Sequence, residues 1–164
     1  MSALTKDKVE AQAKQFKTFA DLDAYKSARE FRMSMYAVTR RLPEFEKFGL
    51  ADQIRRAAVS LTNNIAEGHG RYHYLDQVRF LLQPRGSLEE LIDDLNVCAD
   101  EKYAPLAEVS ALKDEAWRVH KIRNGYIRFL RTRKTNEPYV LHDAQPADDL
   151  TDDELNDGFN ASTF

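Results

Sequence analysis

The chain has 164 residues, of which 43% are hydrophobic and 31% are charged, so it fits one folded domain with a sizeable core rather than a disordered chain. No stretch approaches the roughly 18 apolar residues of a membrane span. The net charge of −3 divides unevenly: residues 1–134 hold all 24 Lys and Arg against 19 Asp and Glu, whereas residues 135–164 hold eight acids and no base.

The N-terminal stretch, residues 1–18, is polar and predicts an extra, loosely attached helical segment. It lacks the apolar core of a signal peptide, and the chain has a single cysteine, Cys98, so we expect a cytoplasmic protein. The first long helical pattern follows, with Asp21 as its expected N-cap and Pro43 as its stop. Its apolar stripe is Leu22, Tyr25, Ala28, Phe31, Met35, Val38 and Leu42.

The second helical pattern is amphipathic and is predicted to end at Gly68 and Gly70. Its stripe consists of Leu50, Ile54, Ala57, Ala58, Leu61 and Ile65. The third pattern contains Pro84, where we expect a kink because proline lacks a backbone donor and clashes with the preceding turn. Its stripe consists of Tyr74, Val78, Leu81, Leu82, Leu88, Leu91, Ile92 and Leu95.

The fourth helical pattern begins with Pro105 in its first turn and is followed by an acidic tail. Its stripe consists of Val109, Leu112, Ala116, Val119, Tyr126 and Leu130. The tail has prolines and acidic runs but no apolar period, which predicts disorder. Within it, residues 151–154 have the form of a capping box, so residues 152–158 could make a short acidic helix.

Four one-sided amphipathic helices bury their stripes most simply against one another. The sequence therefore predicts an all-α protein, an antiparallel up-down four-helix bundle with an extra N-terminal helical segment and a disordered acidic C-terminal tail. The expected divisions are an N-terminal extension at 1–18, the bundle at 19–134 and the flexible tail at 135–164.

Residues that could support catalysis or metal binding are sparse in this sequence. There is no Gly-rich phosphate loop, nucleophile elbow or zinc-type cysteine spacing. His69 and His73 form the only close histidine pair, but Gly70 separates them at a predicted helix corner, which favours a solvated corner over a metal site. His120 and His142 have no partner by spacing. We therefore expect no enzyme activity, metal or cofactor.

A polar stripe runs along one flank of the second predicted helix. At 100° per residue this flank collects Gln53, Arg56, Ser60, Asn64 and Glu67. The simpler interpretation is structural hydrogen bonds and ion pairs, for example Arg56 or Arg71 with Glu67 or Glu90. A contact to a ligand or to nucleic acid is the alternative.

A basic face is the stronger candidate for function. Arg118, Lys121, Arg128 and Arg131 fall in one predicted outward sector of the fourth helix, together with Trp117. Arg40, Arg41 and Arg55 add charge from the first two helices. Cations release counterions from a phosphate backbone and an aromatic ring stacks on bases, so these residues are candidates for nucleic-acid binding. Alternatively, they only solvate the helix exteriors.

Several motifs between about Phe19 and Arg133 resemble those of a known family. They include Leu22-x-x-Tyr25-Lys26-x-Ala28, Gln53-Ile54-Arg55-Arg56-Ala57-Ala58, Asn64-Ile65-Ala66-Glu67-Gly68, Arg85-Gly86-Ser87-Leu88 and Gly125-Tyr126-Ile127. The sequence is similar to the small four helix bundle protein family, first described as proteins encoded inside intervening sequences of large-subunit ribosomal RNA genes. Pro84 and the acidic tail depart from the family pattern.

This resemblance implies a homo-oligomer, a pentamer, with no catalytic activity. A relative, the accessory variability protein of diversity-generating retroelements, is a basic pentameric barrel that binds nucleic acid and its reverse transcriptase. The expected function is thus a non-enzymatic oligomeric scaffold or adaptor that binds RNA or DNA and a protein partner such as a reverse transcriptase, with no membrane contact. The alternative is a protein-only interaction module whose acidic tail engages a basic partner.

Overall fold

The computed structural model describes residues 18–71 and 73–135, with side chains described as far as Thr132. This part contains five α-helices and no β-strand: α1 (Asp23–Thr39), α2 (Leu50–His69), α3 (Tyr74–Leu82), α4 (Pro84–Asp100) and α5 (Leu106–Thr135). Two short 3-10 helices, Phe19–Asp21 and Glu44–Glu46, precede α1 and α2. The all-α prediction is confirmed. The predicted N-terminal segment, apart from Thr18, and the predicted tail, apart from Thr135 at the end of α5, lie outside the described residues.

The start of α1 differs from the sequence prediction. Asp21 is not its N-cap but the last residue of the first 3-10 helix, where its carboxylate accepts a hydrogen bond from the Thr18 amide at 3.0 Å. The extended residue Leu22 then precedes α1, and its side chain is buried. The helix ends at Thr39, ahead of Pro43, so Leu42 packs against the core from a connection and not from a helix.

Gly68 lies inside α2 and does not end it. The helix runs on to His69, with Gly70 as its C-cap in ordinary right-handed conformation at φ −76°. A Cβ atom built on Gly68 would lie 3.0 Å from Cβ of Phe80 and 3.3 Å from the carbonyl oxygen of Gln77. The absence of a side chain at Gly68 therefore lets α3 approach α2 closely.

Pro84 separates two helices where the sequence predicted one kinked helix. The helix α3 ends at Leu82, Gln83 is the junction residue, and the buried Pro84 occupies the first turn of α4. Proline suits this position because the first turn of a helix has no use for its missing N–H. Pro105, in contrast, immediately precedes α5, and its carbonyl accepts from the amides of Glu108 and Val109.

Polar contacts between side chains show how the helices align. The pairs are Glu30–Arg118, Ser34–Glu115 and Arg41–Glu108 for α1 with α5, and Arg32–Thr62 and Thr39–Arg55 for α1 with α2. In both sets of contacts the residue numbers rise along one helix as they fall along the other, so α1 is antiparallel to α5 and to α2. The helix α4 packs against α2 and α5.

One hydrophobic core joins these helices. Its least exposed members include Ala28, Met35, Ile54, Leu61, Ile65, Leu91, Leu95 and Ile127. The loops after α1 and α4 meet at one end of the bundle, where Phe45 lies edge-on to Tyr103 with ring centroids 6.5 Å apart. That end also holds part of the predicted basic face.

Candidate nucleic-acid interface

A basic pocket lies where α1 ends and α2 begins. It encloses about 160 Å³ and is lined by Thr39, Arg40, Leu42, Pro43, Glu44, Lys47, Ala51 and Arg55. Three cations and one carboxylate thus share a space comparable to the cavity of about 150 Å³ that admits a benzene molecule in another protein. The pocket is large enough for a phosphate group.

The cations of this basic pocket are largely uncommitted. Arg40 is exposed, and neither Arg40 nor Arg55 forms an ion pair with a described residue. Arg55 is half-buried and donates from Nε to the Thr39 hydroxyl at 3.3 Å, which orients its guanidinium. Thr39 in turn donates to the Tyr36 carbonyl oxygen at 2.9 Å.

Glu44 is the acid among the described lining residues of the basic pocket, and it lies 3.3 Å from the Lys47 ammonium. The Glu44 side chain is 88% exposed, so water screens this pair strongly and it contributes little. The pocket therefore keeps a net positive charge, with Arg40 and Arg55 available to an anion.

Arg41, the third predicted cation at this end, is already neutralised. Its guanidinium forms an ion pair with the Glu108 carboxylate at the start of α5. That hydrogen bond raises the pKa of Arg41, with burial acting in the opposite direction. Arg41 joins α1 to α5 and is less available to an external phosphate than Arg40.

The four predicted cations of α5 differ in their surroundings. Arg118 pairs with Glu30 of α1 at 3.0 Å, whereas Arg131 hydrogen-bonds Tyr74 of α3. Arg118 and Arg131 therefore contact different neighbouring helices, and a shared nucleic-acid-binding role of the four cations stays a prediction. Lys121 lies 5.0 Å from the Trp117 ring centroid, and Arg128 is exposed.

The polar stripe of α2 makes mostly contacts within the protein. Ser60 lies 3.1 Å from the Ser87 hydroxyl of α4, and Asn64 donates to the Ser60 carbonyl oxygen at 2.8 Å. Arg56 pairs with Asp52 at 3.5 Å, and Glu67 pairs with Arg71. Gln53 is exposed. These contacts favour the structural interpretation of the stripe.

The helix α5 carries a buried polar cluster that was not predicted from the sequence. His120 has partners after all: Arg123 Nη2 lies 3.0 Å from its Nδ1, and the Asn124 side-chain nitrogen lies 2.9 Å from its Nε2. Trp117 stacks on the imidazole with centroids 5.4 Å apart. Burial lowers the pKa of Arg123 to about 10. The spacing of three and four residues on one helix was the signal for this cluster.

A second buried group, Asp94 of α4, was also missed. The residue is 3% exposed, and none of the described residues forms a hydrogen bond with its Oδ2. Burial, and then the charges of Glu90 and Asp93, raise its pKa to about 7. Burial likewise raises the pKa of the Cys98 thiol to about 11, so this cysteine is a poor nucleophile.

Metal-binding side chains do not cluster in residues 18–71 and 73–135. Within these ranges no group of three or more His, Cys, Asp or Glu side chains could hold a metal ion. His69 is half-buried at the end of α2 and His73 is exposed ahead of α3. None of the described helices has the length and apolar character required to cross a bilayer.

Comparison with known proteins identifies one family. A family model described as "23S rRNA-intervening sequence protein" matches residues 20–125, which span α1 to α4 and most of α5. No curated protein matches the chain. The matched region contains Arg40, Lys47 and Arg55 of the basic pocket and the buried cluster of α5.

Proposed function

The chain belongs to the 23S rRNA-intervening sequence protein family, and from this premise we propose that it is a non-enzymatic, oligomeric scaffold that binds RNA. The family points to an RNA-related role, and the basic pocket supplies the chemistry for it. Arg40 and Arg55 stand without carboxylate partners among the described residues, beside Lys47. This unneutralised charge is the observation that carries the proposal, because phosphate contacts dominate nucleic-acid affinity.

The proposal that the protein is not an enzyme rests on its buried groups. The titratable side chains with the most strongly perturbed pKa values, Asp94, Cys98 and Arg123, are all buried. General acid–base or nucleophilic catalysis requires such a group to reach a substrate. We therefore assign these residues to the interior of the fold and require no cofactor.

The oligomer we propose is a homopentamer, on the family resemblance. Val59 and Ala66 of α2 are apolar and half-buried in the single chain, so they add little support for an interface between subunits. Five basic pockets on one assembly would raise the local potential for a polyanion. Mass photometry at micromolar concentration tests this point, and a purely monomeric protein would contradict it.

The experiment that tests RNA binding compares two charge reversals. Fluorescence anisotropy with a short labelled RNA at low salt should show that Arg40→Glu/Arg55→Glu weakens binding and makes the slope of log K against log salt shallower by about 1.4, for two lost single-strand phosphate contacts. The control is Arg29→Glu, an exposed arginine of α1 outside the basic pocket. Absence of RNA binding by the native chain at low salt would refute the proposal.

A protein-only interaction module is the second candidate function. The observation in its favour is the tail, whose eight acids give residues 135–164 a charge of −8. Such a tail could engage a basic partner, whereas a reverse transcriptase is a candidate protein partner of the RNA-binding scaffold. DNA in place of RNA is a further variant of the main proposal, and the same anisotropy titration with a matched DNA distinguishes the two.

A further inference from the structure

Two phenylalanine rings project from the loop between α1 and α2. Phe45 is 76% exposed and Phe48 is 87% exposed, which is unusual for such large apolar side chains. An anchored backbone holds them there: Glu46 accepts from the Leu50 amide and from the Tyr103 hydroxyl, each at 3.1 Å. The two rings are therefore exposed to solvent on a loop that these hydrogen bonds of Glu46 stabilise.

The two rings flank a cation of the basic pocket. Lys47 lies between them in sequence, lines the pocket, and places its ammonium 5.5 Å from the Phe48 ring centroid. Arg40 and Arg55 line the same pocket without a described ion-pair partner. Exposed aromatic rings and uncommitted cations therefore adjoin at one end of the bundle.

This combination suits a nucleic-acid strand better than an apolar protein surface. Protein docking patches are contiguous and depleted of charge at their centre, whereas here Glu44, Glu46 and Lys47 interleave with the rings. Proteins that bind single strands combine a positive groove along the backbone with rings on which bases stack. Bases in a duplex are already stacked on each other and cannot use such rings.

We infer that this end of the bundle binds an unpaired stretch of RNA, with a phosphate in the basic pocket and neighbouring bases stacked on Phe48 and Phe45. The inference rests on the proposed function and names its substrate class: single-stranded RNA rather than duplex. Arg40 and Arg55 hold the backbone, and the two rings select for unpaired bases.

The test uses the full chain and two labelled probes, an oligouridine of about 12 nucleotides, within the site sizes known for single-strand binders, and a blunt RNA duplex of equal length. Phe45→Leu/Phe48→Leu keeps the apolar character but removes the flat rings, and it should weaken single-strand binding by about tenfold or more. Duplex binding and the salt slope should change less than about twofold. Phe45→Tyr/Phe48→Tyr should restore single-strand binding.

Two outcomes distinguish the inference of base stacking from the proposed function, RNA binding, on which it rests. If the native chain binds both probes equally and the leucine variant matches it, the stacking inference is overturned while RNA binding stands. If the native chain binds neither probe at low salt, the proposed function itself fails. Met33→Ala, which removes a side chain that is 54% exposed on α1, is the control for loss of an exposed apolar group and should leave both affinities unchanged.

Discussion

Arg123 Nη2 lies 3.0 Å from His120 Nδ1 in the interior, and an imidazole rather than a carboxylate faces this guanidinium. Arginine only donates, so Nδ1 must accept and Nε2 must carry the proton. Asn124 already faces Arg123 with Oδ1 at 2.9 Å, which leaves its Nδ2 donors towards Nε2. If the Asn124 amide is rotated by 180°, its Oδ1 can accept from Nε2, but its Nδ2 donor then faces the Arg123 guanidinium, which also only donates. For either histidine tautomer and either amide orientation, two hydrogen-bond donors therefore face each other among Arg123, His120 and Asn124.

We predict that Arg123→Met leaves stability unchanged or raises it, by about 1–2 kcal/mol. Arg123 is 1% exposed, and in the described part of the chain its Nη1 has no partner and no carboxylate is bonded to its guanidinium, so the desolvation of this charge is poorly compensated. Urea unfolding measures the effect. Arg118→Met is the control: its exposed ion pair with Glu30 should contribute less than about 0.5 kcal/mol. A loss above about 2 kcal/mol for Arg123→Met would show that the buried charge stabilises the fold.

We predict that Asp94→Asn stabilises the protein above neutral pH. The folded-state pKa of Asp94 is raised to about 7 from 3.8, so the folded state holds its proton more tightly than the unfolded state. The stability from this proton is fully present below about pH 4 and is lost as pH rises through 7. The native melting temperature should therefore fall relative to that of Asp94→Asn between about pH 4 and 8. Parallel pH profiles would contradict the burial of this carboxyl.

Two helical glycines should respond oppositely to alanine. Gly68→Ala should destabilise by about 1 kcal/mol or more, because the new methyl would lie 3.0 Å from Phe80 Cβ and 3.3 Å from a backbone oxygen. Gly125→Ala is the matched control: nothing lies within 4 Å of its Cβ position, so helix propensity should stabilise it by about 0.5–1 kcal/mol. Thermal melts compare the two, and equal effects would rule out close α2–α3 packing.

We predict that removing residues 136–164 strengthens RNA binding. The eight acids of the tail all follow Thr135, where α5 ends, so the truncation leaves every described helix intact. The helix α5 begins at the pocket end and leads away from it, but the 29 tethered residues after Thr135 are long enough, at about 3.3 Å each, to reach back and compete with phosphate in the basic pocket. Anisotropy should show tighter binding and a steeper salt dependence, and Arg40→Glu/Arg55→Glu in the truncated chain should abolish the gain. Unchanged affinity would show that the tail does not mask the pocket.

Local pattern determined much of this protein. The stripes of α1, α2 and α5 have helical period, and residues such as Phe31, Leu61 and Val119 are buried as predicted. Apolar periodicity is a property of neighbouring residues and needs no tertiary information. The same holds for Pro84: its chemistry predicted an interruption, although only the structure shows a junction between α3 and α4.

Tertiary structure decided which polar residues meet. Arg41 and Arg118 appear as free cations in the sequence, yet each finds a carboxylate on another helix, Glu108 and Glu30. Arg40 and Arg55 have no such partner among residues 18–71 and 73–132, and they share a pocket because the ends of α1 and α2 converge. Helix period predicts which face a side chain occupies, but pairing depends on how far one helix slides along its neighbour. That axial register is set by packing across the whole core, and a single helix does not encode it.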